Sequence, residues 1–121
     1  MCFFCSPNPE NITCEAELSY VHLDGYPVSV GHSLVVPKRH INSLGELTNC
    51  ESKEMYELIN QRIEELKQAH NPDGFNIGIN LGESAGQTIS HLHIHIIPRY
   101  VGDVYNPRGG VRGVIPDKQN Y

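Results

Sequence analysis

The amino-acid sequence predicts an α+β fold in which a small antiparallel sheet packs against one long helix. Three observations support this prediction. One stretch after Thr48 repeats apolar residues at helical spacing, two runs before it are rich in β-forming residues, and the runs after Gly74 alternate apolar with polar or small residues. The 121 residues are expected to form a single domain, because the chain has the usual length of one.

The first third of the chain predicts a loop followed by a pair of strands. Residues 6–15 are rich in Pro and Asn, which is typical of loops. Residues 18–23 carry β-formers, Asp24-Gly25-Tyr26-Pro27 has turn chemistry, and residues 31–37 form a second apolar run that ends at a proline. These two runs are expected to pair as antiparallel strands joined by a loop of several residues.

The middle of the chain predicts the helix. Thr48 and Glu51 have the spacing of a capping box, in which each side chain bonds the backbone amide of the other residue. The apolar residues that follow at helical spacing are Met55, Leu58, Ile59, Ile63 and Leu66. Asn71-Pro72-Asp73-Gly74 is expected to end the helix, since proline and glycine do not continue it.

Two further strands are predicted after the helix. Phe75, Ile77 and Ile79 alternate with Asn76, Gly78 and Asn80, which indicates a strand with one buried face. Residues 81–87 read as a glycine-containing loop, and the next strand is expected over about 88–98. From Val101 onward Gly, Pro and Asn recur, which predicts an ordered but irregular tail.

Composition and charge restrict the partners. Apolar residues make up 39% and charged residues 19% of the chain, which suits a globular protein. The formal net charge of −5 argues against broad attraction to nucleic acid, although a local pocket of imidazoles and amides can still bind an anion. Neither a signal peptide nor an apolar run long enough to cross a membrane is visible, so we expect a cytoplasmic protein without membrane attachment.

Histidines alternate with apolar residues in His91-Leu92-His93-Ile94-His95. Side chains two apart in a strand share a face, so the three imidazoles are expected to point one way, beside Asn76, Gly78 and Asn80 if the two strands are neighbours. Aligned imidazoles suit either a metal site or nucleophilic and acid–base chemistry on phosphorus. The spacing alone does not choose between these two readings. His22, on the earlier strand, receives no role.

Three segments together resemble the histidine triad (HIT) family. Residues 80–100 contain Gly86-Gln87-Thr88 and the three histidines, residues 24–40 contain Gly31-His32 and end in Pro37-Lys38-Arg39-His40, and Cys2 and Cys5 precede both. The likeness covers nearly the whole chain and is similar in particular to small bacterial-type members that end in a Gly-Gly-Val-Arg tail, here Gly109-Gly110-Val111-Arg112. It implies a HIT-like fold, with a five-stranded antiparallel sheet and one long helix on one face, and a single HIT domain over residues 1–121.

The resemblance also implies a role for each polar residue. His93 would attack the α-phosphate of a nucleotide and form a transient nucleotidyl-histidine. His95 and His32 would hold the phosphate oxygens that gain charge, and Gln87 would orient the leaving group or the attacking water. Thr88 and Asn80 would contact the phosphate, and Asp24 would bind the ribose hydroxyls.

The two N-terminal cysteines predict a metal site. A two-residue gap without a secretion signal favours metal binding over a disulfide framework, and a structural zinc ion takes four ligands. By resemblance to HIT proteins, the other two ligands are His40 and His91. We therefore expect a structural Zn²⁺ ion bound by Cys2, Cys5, His40 and His91, which would add folding free energy to a small core.

Substrate and assembly are also expected by resemblance. Dinucleoside polyphosphates such as diadenosine tetraphosphate, and adenosine phosphoramidates, are the leading substrate classes, and a homodimer is the expected assembly. Two other functions fit the same residues. One is a nucleotide-binding regulatory module with incidental turnover, and the other is an oxygenase-type site in which the histidines bind iron or copper.

Overall fold

The computed structural model describes residues 2–121 and contains a five-stranded antiparallel sheet with one long helix on it. In chain order the strands are β1 (Ile12–Glu15), β2 (Ser19–Leu23), β3 (Ser33–Pro37), β4 (Gly74–Gly78) and β5 (Ile94–Arg99). They lie in the order β1-β2-β3-β5-β4, and every neighbouring pair is antiparallel. The predicted α+β fold is confirmed.

Two predicted boundaries are wrong. Residues 6–15 were expected to form a loop, but they contain β1, a short edge strand whose pairing with β2 is irregular between Ile12 and Cys14. The last strand was expected to begin near Thr88, but β5 begins at Ile94. Residues 88–93 stay outside the ladder because β3 and β4 pair only with residues from Ile94 onward.

The helix α1 (Asn49–His70) has the predicted ends. The Thr48 hydroxyl accepts a hydrogen bond from the Glu51 amide (3.1 Å), and the Glu51 carboxylate accepts one from the Thr48 amide (2.9 Å). Asn71 closes the helix in the left-handed conformation (φ 52°), which asparagine adopts more readily than most residues. The capping residues therefore determine where α1 begins and ends. The buried side chains of α1 determine which face of the helix packs on the sheet.

The apolar face of α1 covers one face of the sheet. Met55, Leu58 and Leu66 from the helix form one buried cluster with Val21, Val35, Ile94 and Ile96 from three strands. Side chains alternate along a strand, so the neighbours of Ile94 and Ile96 on β5 point to the opposite face. That opposite face carries His95 and is free of the helix.

A second, smaller cluster lies on the opposite face. Phe4, Tyr20, Leu34 and Val36 form its buried part. The Tyr20 hydroxyl donates to the Phe4 carbonyl (2.6 Å), so the N-terminal segment is held against the sheet. No helix within residues 2–121 combines the length and the apolar character that crossing a bilayer requires.

An ion pair fixes the segment that follows β3. The Arg39 guanidinium donates to both carboxylate oxygens of Glu51 (2.8 and 3.1 Å) and to the Glu46 carbonyl. These hydrogen bonds lower the pKa of Glu51 to about 2. Because Glu51 also caps α1, this pair connects the start of the helix to the residue before His40.

Candidate active site

The sheet face opposite α1 carries a cavity of about 480 Å³. Its polar lining consists of His22, Asp24, Asn80, Thr88, His93 and His95, and its apolar lining includes Phe3, Phe4, Tyr26, Leu34 and Ile89. A slightly larger hollow of about 530 Å³ lies between β4 and the segment after β5 and has no histidine in its lining. The cavity of about 480 Å³ is therefore the candidate active site, since it combines histidines with apolar side chains in its lining.

The ring of His93 is held in one tautomer. Its Nδ1 lies 2.8 Å from the carbonyl oxygen of His91, and a carbonyl only accepts, so Nδ1 carries the proton. The neutral ring then presents a bare Nε2. His93 is 9% exposed, and the Phe4 ring packs on it with 5.0 Å between centroids. A fixed imidazole with a free lone pair at a cavity wall is a suitable nucleophile.

His32 and His95 form a short chain of hydrogen bonds with a fixed direction. The Val28 amide donates to Nδ1 of His32 (3.1 Å), so the proton of this ring is on Nε2. His32 Nε2 lies 2.9 Å from Nδ1 of His95 and donates to it. His95 therefore carries its own proton on Nε2. The cavity receives a lone pair from His93 and an N–H donor from His95, which is the pair that an attack on phosphorus requires.

Burial keeps these two rings uncharged. Desolvation lowers the pKa of His32, and the nearby Asp24 carboxylate opposes that shift. Desolvation also lowers the pKa of His95, with His93 and His32 acting in the same direction and Asp24 against them. Asp24 Oδ2 is 3.4 Å from His32 Nε2, and its Oδ1 accepts from the Tyr26 amide (2.7 Å). The hydrogen-bond directions assigned to His32 and His95 apply to neutral rings, because a neutral imidazole has one donor and one acceptor nitrogen.

The side-chain amide of Gln87 is hydrogen-bonded to other protein groups. Its side-chain oxygen accepts from the Gly82 amide (2.9 Å), and its nitrogen donates to the Asn42 side chain (2.7 Å) and to the Ile89 carbonyl (3.2 Å). Both ends of the amide are therefore engaged within the loop, and Gln87 lines a separate hollow. Thr88 lies at the border and lines both spaces.

The four predicted metal ligands are brought together. Cys2, Cys5, His40 and His91 each direct one ligand atom into a region where all four lie within 4.8 Å of one another. His91 is fully buried, and its Nε2 donates to the Pro37 carbonyl (2.7 Å). Its Nδ1 is therefore the bare nitrogen, and it faces the thiols. Burial, the largest influence, lowers the pKa of His91, which favours the neutral form that binds a metal.

Their separations match a tetrahedral zinc site. His91 Nδ1 is 3.3 Å from His40 Nδ1, 3.4 Å from Cys2 Sγ and 3.6 Å from Cys5 Sγ, and Cys5 Sγ is 3.1 Å from His40 Nδ1. A regular tetrahedron with usual zinc bond lengths has edges of about 3.3 Å between two nitrogens and about 3.5 Å between nitrogen and sulfur. The donor set and its dimensions fit Zn²⁺.

His22, Phe3 and Phe4 are among the cavity-wall residues that the sequence interpretation missed. Strand alternation from Tyr20 to His22 would have placed His22 on the same face as the smaller cluster. The two phenylalanines lie between Cys2 and Cys5, so their position depends on long-range contacts that spacing does not reveal.

A five-stranded sheet with His-x-His-x-His entering β5, and with a further histidine just before β3, defines a histidine-triad protein. The HIT domain model matches residues 6–102, and the chain belongs to the HIT family.

The chain is 41% identical over 93 residues to the AP-4-A phosphorylase of Mycobacterium tuberculosis, which covers 76% of this chain and 48% of that protein. It is 43% identical over 91 residues to the bis(5′-adenosyl)-triphosphatase of Dictyostelium discoideum, which covers 74% of this chain and 60% of that protein. It thus spans about half the length of the first relative. A Zn-bound histidine triad family protein from Mycobacterium smegmatis superimposes with a TM-score of 0.76 at 31% identity, over 87% of this chain and 79% of that one.

Proposed function

We propose that this protein is a nucleotide hydrolase or nucleotidyl transferase that forms a nucleotidyl-histidine at His93. Its substrates would be dinucleoside polyphosphates, such as diadenosine tetraphosphate, or adenosine phosphoramidates. The names of the two relatives support the first class. The observation that carries the proposal is the bare Nε2 of His93 in a cavity where His95 supplies an N–H donor.

In the first step, the Nε2 lone pair of His93 attacks the α-phosphorus. The bond from phosphorus to the bridging oxygen or nitrogen of the leaving group breaks, and the leaving group departs with the electron pair. A nucleotide leaves as its phosphate anion, whereas an amine takes up a proton from water. The Nε2–H of His95 donates to a non-bridging oxygen as negative charge grows there. In the second step, water attacks phosphorus and gives up a proton to the solvent, or another acceptor attacks in its place, and the electrons of the P–N bond return to Nε2 of His93.

The remaining cavity residues would bind the nucleotide. Asp24 borders the cavity beside His32, where its carboxylate can accept hydrogen bonds from ribose hydroxyls. Asn80 and Thr88 line the same space and offer donors to phosphate oxygens. We propose a positioning role for Gln87, since its amide braces the loop that carries Thr88. The contact with the leaving group or the attacking water that the resemblance implies stays a prediction.

The test is to trap the intermediate. Protein is mixed with labelled diadenosine tetraphosphate or adenosine phosphoramidate, quenched within milliseconds, and treated with acid or base. We expect an acid-labile, base-stable adduct that is absent in His93→Ala and present in His70→Ala, a control at the exposed end of α1. Activity retained in His93→Ala without any adduct would overturn the proposal. Slow turnover of every nucleotide with tight mononucleotide binding would favour a regulatory module.

We also propose that Cys2, Cys5, His40 and His91 hold a structural Zn²⁺ ion. The tetrahedral dimensions of the donor set support this, as does the Zn-bound relative from M. smegmatis. The ion would stabilise the N-terminal segment and take no part in the reaction. One equivalent of zinc in protein purified without chelator is expected, and its absence would end this idea.

A homodimer and a single functional unit are further proposals. β4 is an edge strand, the kind of strand that can pair with a second copy, and its Ile77 side chain is exposed. The tail packs on β4, with Gly110 next to Asn76, which supports one domain over residues 1–121. Sedimentation should give twice the mass of the chain. The cytoplasmic location stays a prediction.

A further inference from the structure

His22 lies in the same cross-strand row as His95. On the face opposite α1, His22 of β2 pairs with Leu34 of β3, and Leu34 pairs with His95 of β5. Neighbouring strands are about 4.8 Å apart, so the backbones of the two histidines are separated by about 10 Å. Both line the cavity, His95 at its phosphate end and His22 at its apolar end.

The ring of His22 has one engaged and one unengaged nitrogen. Nδ1 lies 2.6 Å from the Leu23 carbonyl and must donate to it, so Nε2 of the neutral ring is a bare acceptor. This Nε2 is sealed from solvent and has no hydrogen-bond partner among residues 2–121, and the residue is only 1% exposed. A buried acceptor without a partner is unfavourable, and such atoms are rare in proteins.

Aromatic rings pack around the His22 side chain. Phe3, Phe4 and Tyr20 meet the His22 ring edge-on, with centroids 5.5, 6.1 and 6.3 Å away. Phe4 and Tyr20 are buried, whereas Phe3 is 53% exposed and can turn aside without disturbing the core. A flat ring that displaced Phe3 would lie among apolar groups with one hydrogen-bond acceptor before it.

We infer that His22 is the residue by which this cavity selects adenine, because its Nε2 accepts a hydrogen bond from the exocyclic amino group of the base. The inference rests on the proposed function, since it takes the cavity as a nucleotide site. The separation between His22 and His95 suits a nucleoside 5′-phosphate with its base at Phe3, Phe4 and Ile89 and its phosphate at His93.

The selection follows from a mismatch. Hypoxanthine has a carbonyl oxygen where adenine has the amino group, so it would place an acceptor against an acceptor in a site without water. A site built around one hydrogen bond discriminates strongly against the analogue that cannot make it. The structure thus assigns His22 to base choice, while His93 and His95 act on a phosphate that both nucleotides share.

The experiment compares the affinities of adenosine 5′-monophosphate and inosine 5′-monophosphate by calorimetry. The wild-type protein is expected to bind the adenine nucleotide more tightly by roughly tenfold or more. His22→Leu has a side chain of similar size without a hydrogen-bond acceptor. It should weaken binding of the adenine nucleotide only, so that the two affinities come within about twofold of each other. Ile89→Val, at the same end of the cavity, should weaken both nucleotides alike and keep the ratio.

Each outcome decides the inference. A wild-type ratio near one, or a ratio that His22→Leu leaves unchanged, overturns the role of His22. Should His22→Leu not fold, His22→Gln serves instead: its amide can present either a donor or an acceptor, and the ratio should again fall to near one. If the wild-type protein forms the adduct on His93 but binds both nucleotides equally well, only the inference about His22 is refuted. Absence of both nucleotide binding and adduct would refute the proposed function as well.

Discussion

Loss of the metal is expected to release one wall of the cavity. Cys2 and Cys5 lie on either side of Phe3 and Phe4, and both phenylalanines line the nucleotide space. If the proposed zinc ion is bound, replacing Cys5 with Ser or adding a chelator would remove the metal–ligand bonds that hold this segment on the sheet. Both the stability of the fold and the affinity for a base should fall.

The size of the effect follows from Phe4. This side chain is 2% exposed, and full burial of a phenylalanine is worth about 1.5–3 kcal/mol. Unfolding a chain of this length has an entropy of about 0.25 kcal/mol/K, from a typical value per residue, so complete release of Phe4 would lower Tm by about 6–12 °C. The hydrogen bond from Tyr20 to the Phe4 carbonyl restrains the segment and places the expected fall near the lower end.

Thermal denaturation of Cys5→Ser against Cys50→Ser measures this effect. Cys50 is exposed at the start of α1 and is not among the four grouped ligands, so its replacement should leave Tm unchanged. A chelator should bring the wild type to the level of Cys5→Ser and leave that variant where it is. Affinity for adenosine 5′-monophosphate should fall more than affinity for inorganic phosphate. Equal Tm values for the two variants, or zinc removal without a change in Tm, would refute the reasoning.

Three further predictions concern proton binding and the loop. Burial lowers the pKa of His32 and His95 below the ordinary 6.5, so the stability that depends on their neutral forms is complete above pH 6.5 and is lost as the pH falls. In urea titrations His32→Gln should reduce this slope by up to about 1.4 kcal/mol per pH unit, and an unchanged slope would contradict the assignment. Glu51→Gln should lower the unfolding free energy at pH 7 by about 1–2 kcal/mol, since its partner Arg39 is half exposed. The deficit should shrink as the pH falls from 4.5 towards about 2, where the wild type loses the same charge, and a constant deficit would argue against the ion pair. Gln87→Ala should cost about 1 kcal/mol of stability and slow adduct formation equally for all leaving groups. A loss that depended on the leaving group would instead place this amide on the substrate.

Local signals in the sequence predict the helix and the β2–β3 pair. Thr48 and Glu51 act within one turn, and Asn71 ends α1 through its own backbone conformation, so distant contacts are not needed. The start of β5 could not be predicted in this way, because it depends on which residues the neighbouring strands pair with. The alternation around Thr88 continues into β5, yet the ladder begins only at Ile94, where β3 and β4 supply partners.

In the candidate site, too, the sequence predicts which residues take part but not how their side chains are oriented. The sequence, read with the resemblance, predicts the four residues that the structure groups into a possible metal site, and the histidines that line the cavity. Their directions were not predicted: the tautomer of His93 depends on a nearby carbonyl, and the amide of Gln87 turns into its own loop. His22 was missed because its cavity forms only when the N-terminal segment returns to β2.

The late start of β5 has a chemical consequence at His93. Within a β-sheet, backbone carbonyls accept hydrogen bonds from the neighbouring strand. The carbonyl of His91 precedes β5 and instead accepts a hydrogen bond from the His93 ring. Extending β5 back to His91 would engage that oxygen in the ladder and leave the imidazole free to carry its proton on either nitrogen. The position at which β5 begins therefore fixes which nitrogen of the neutral His93 ring carries the proton, and leaves Nε2 as the nitrogen that we propose attacks phosphorus.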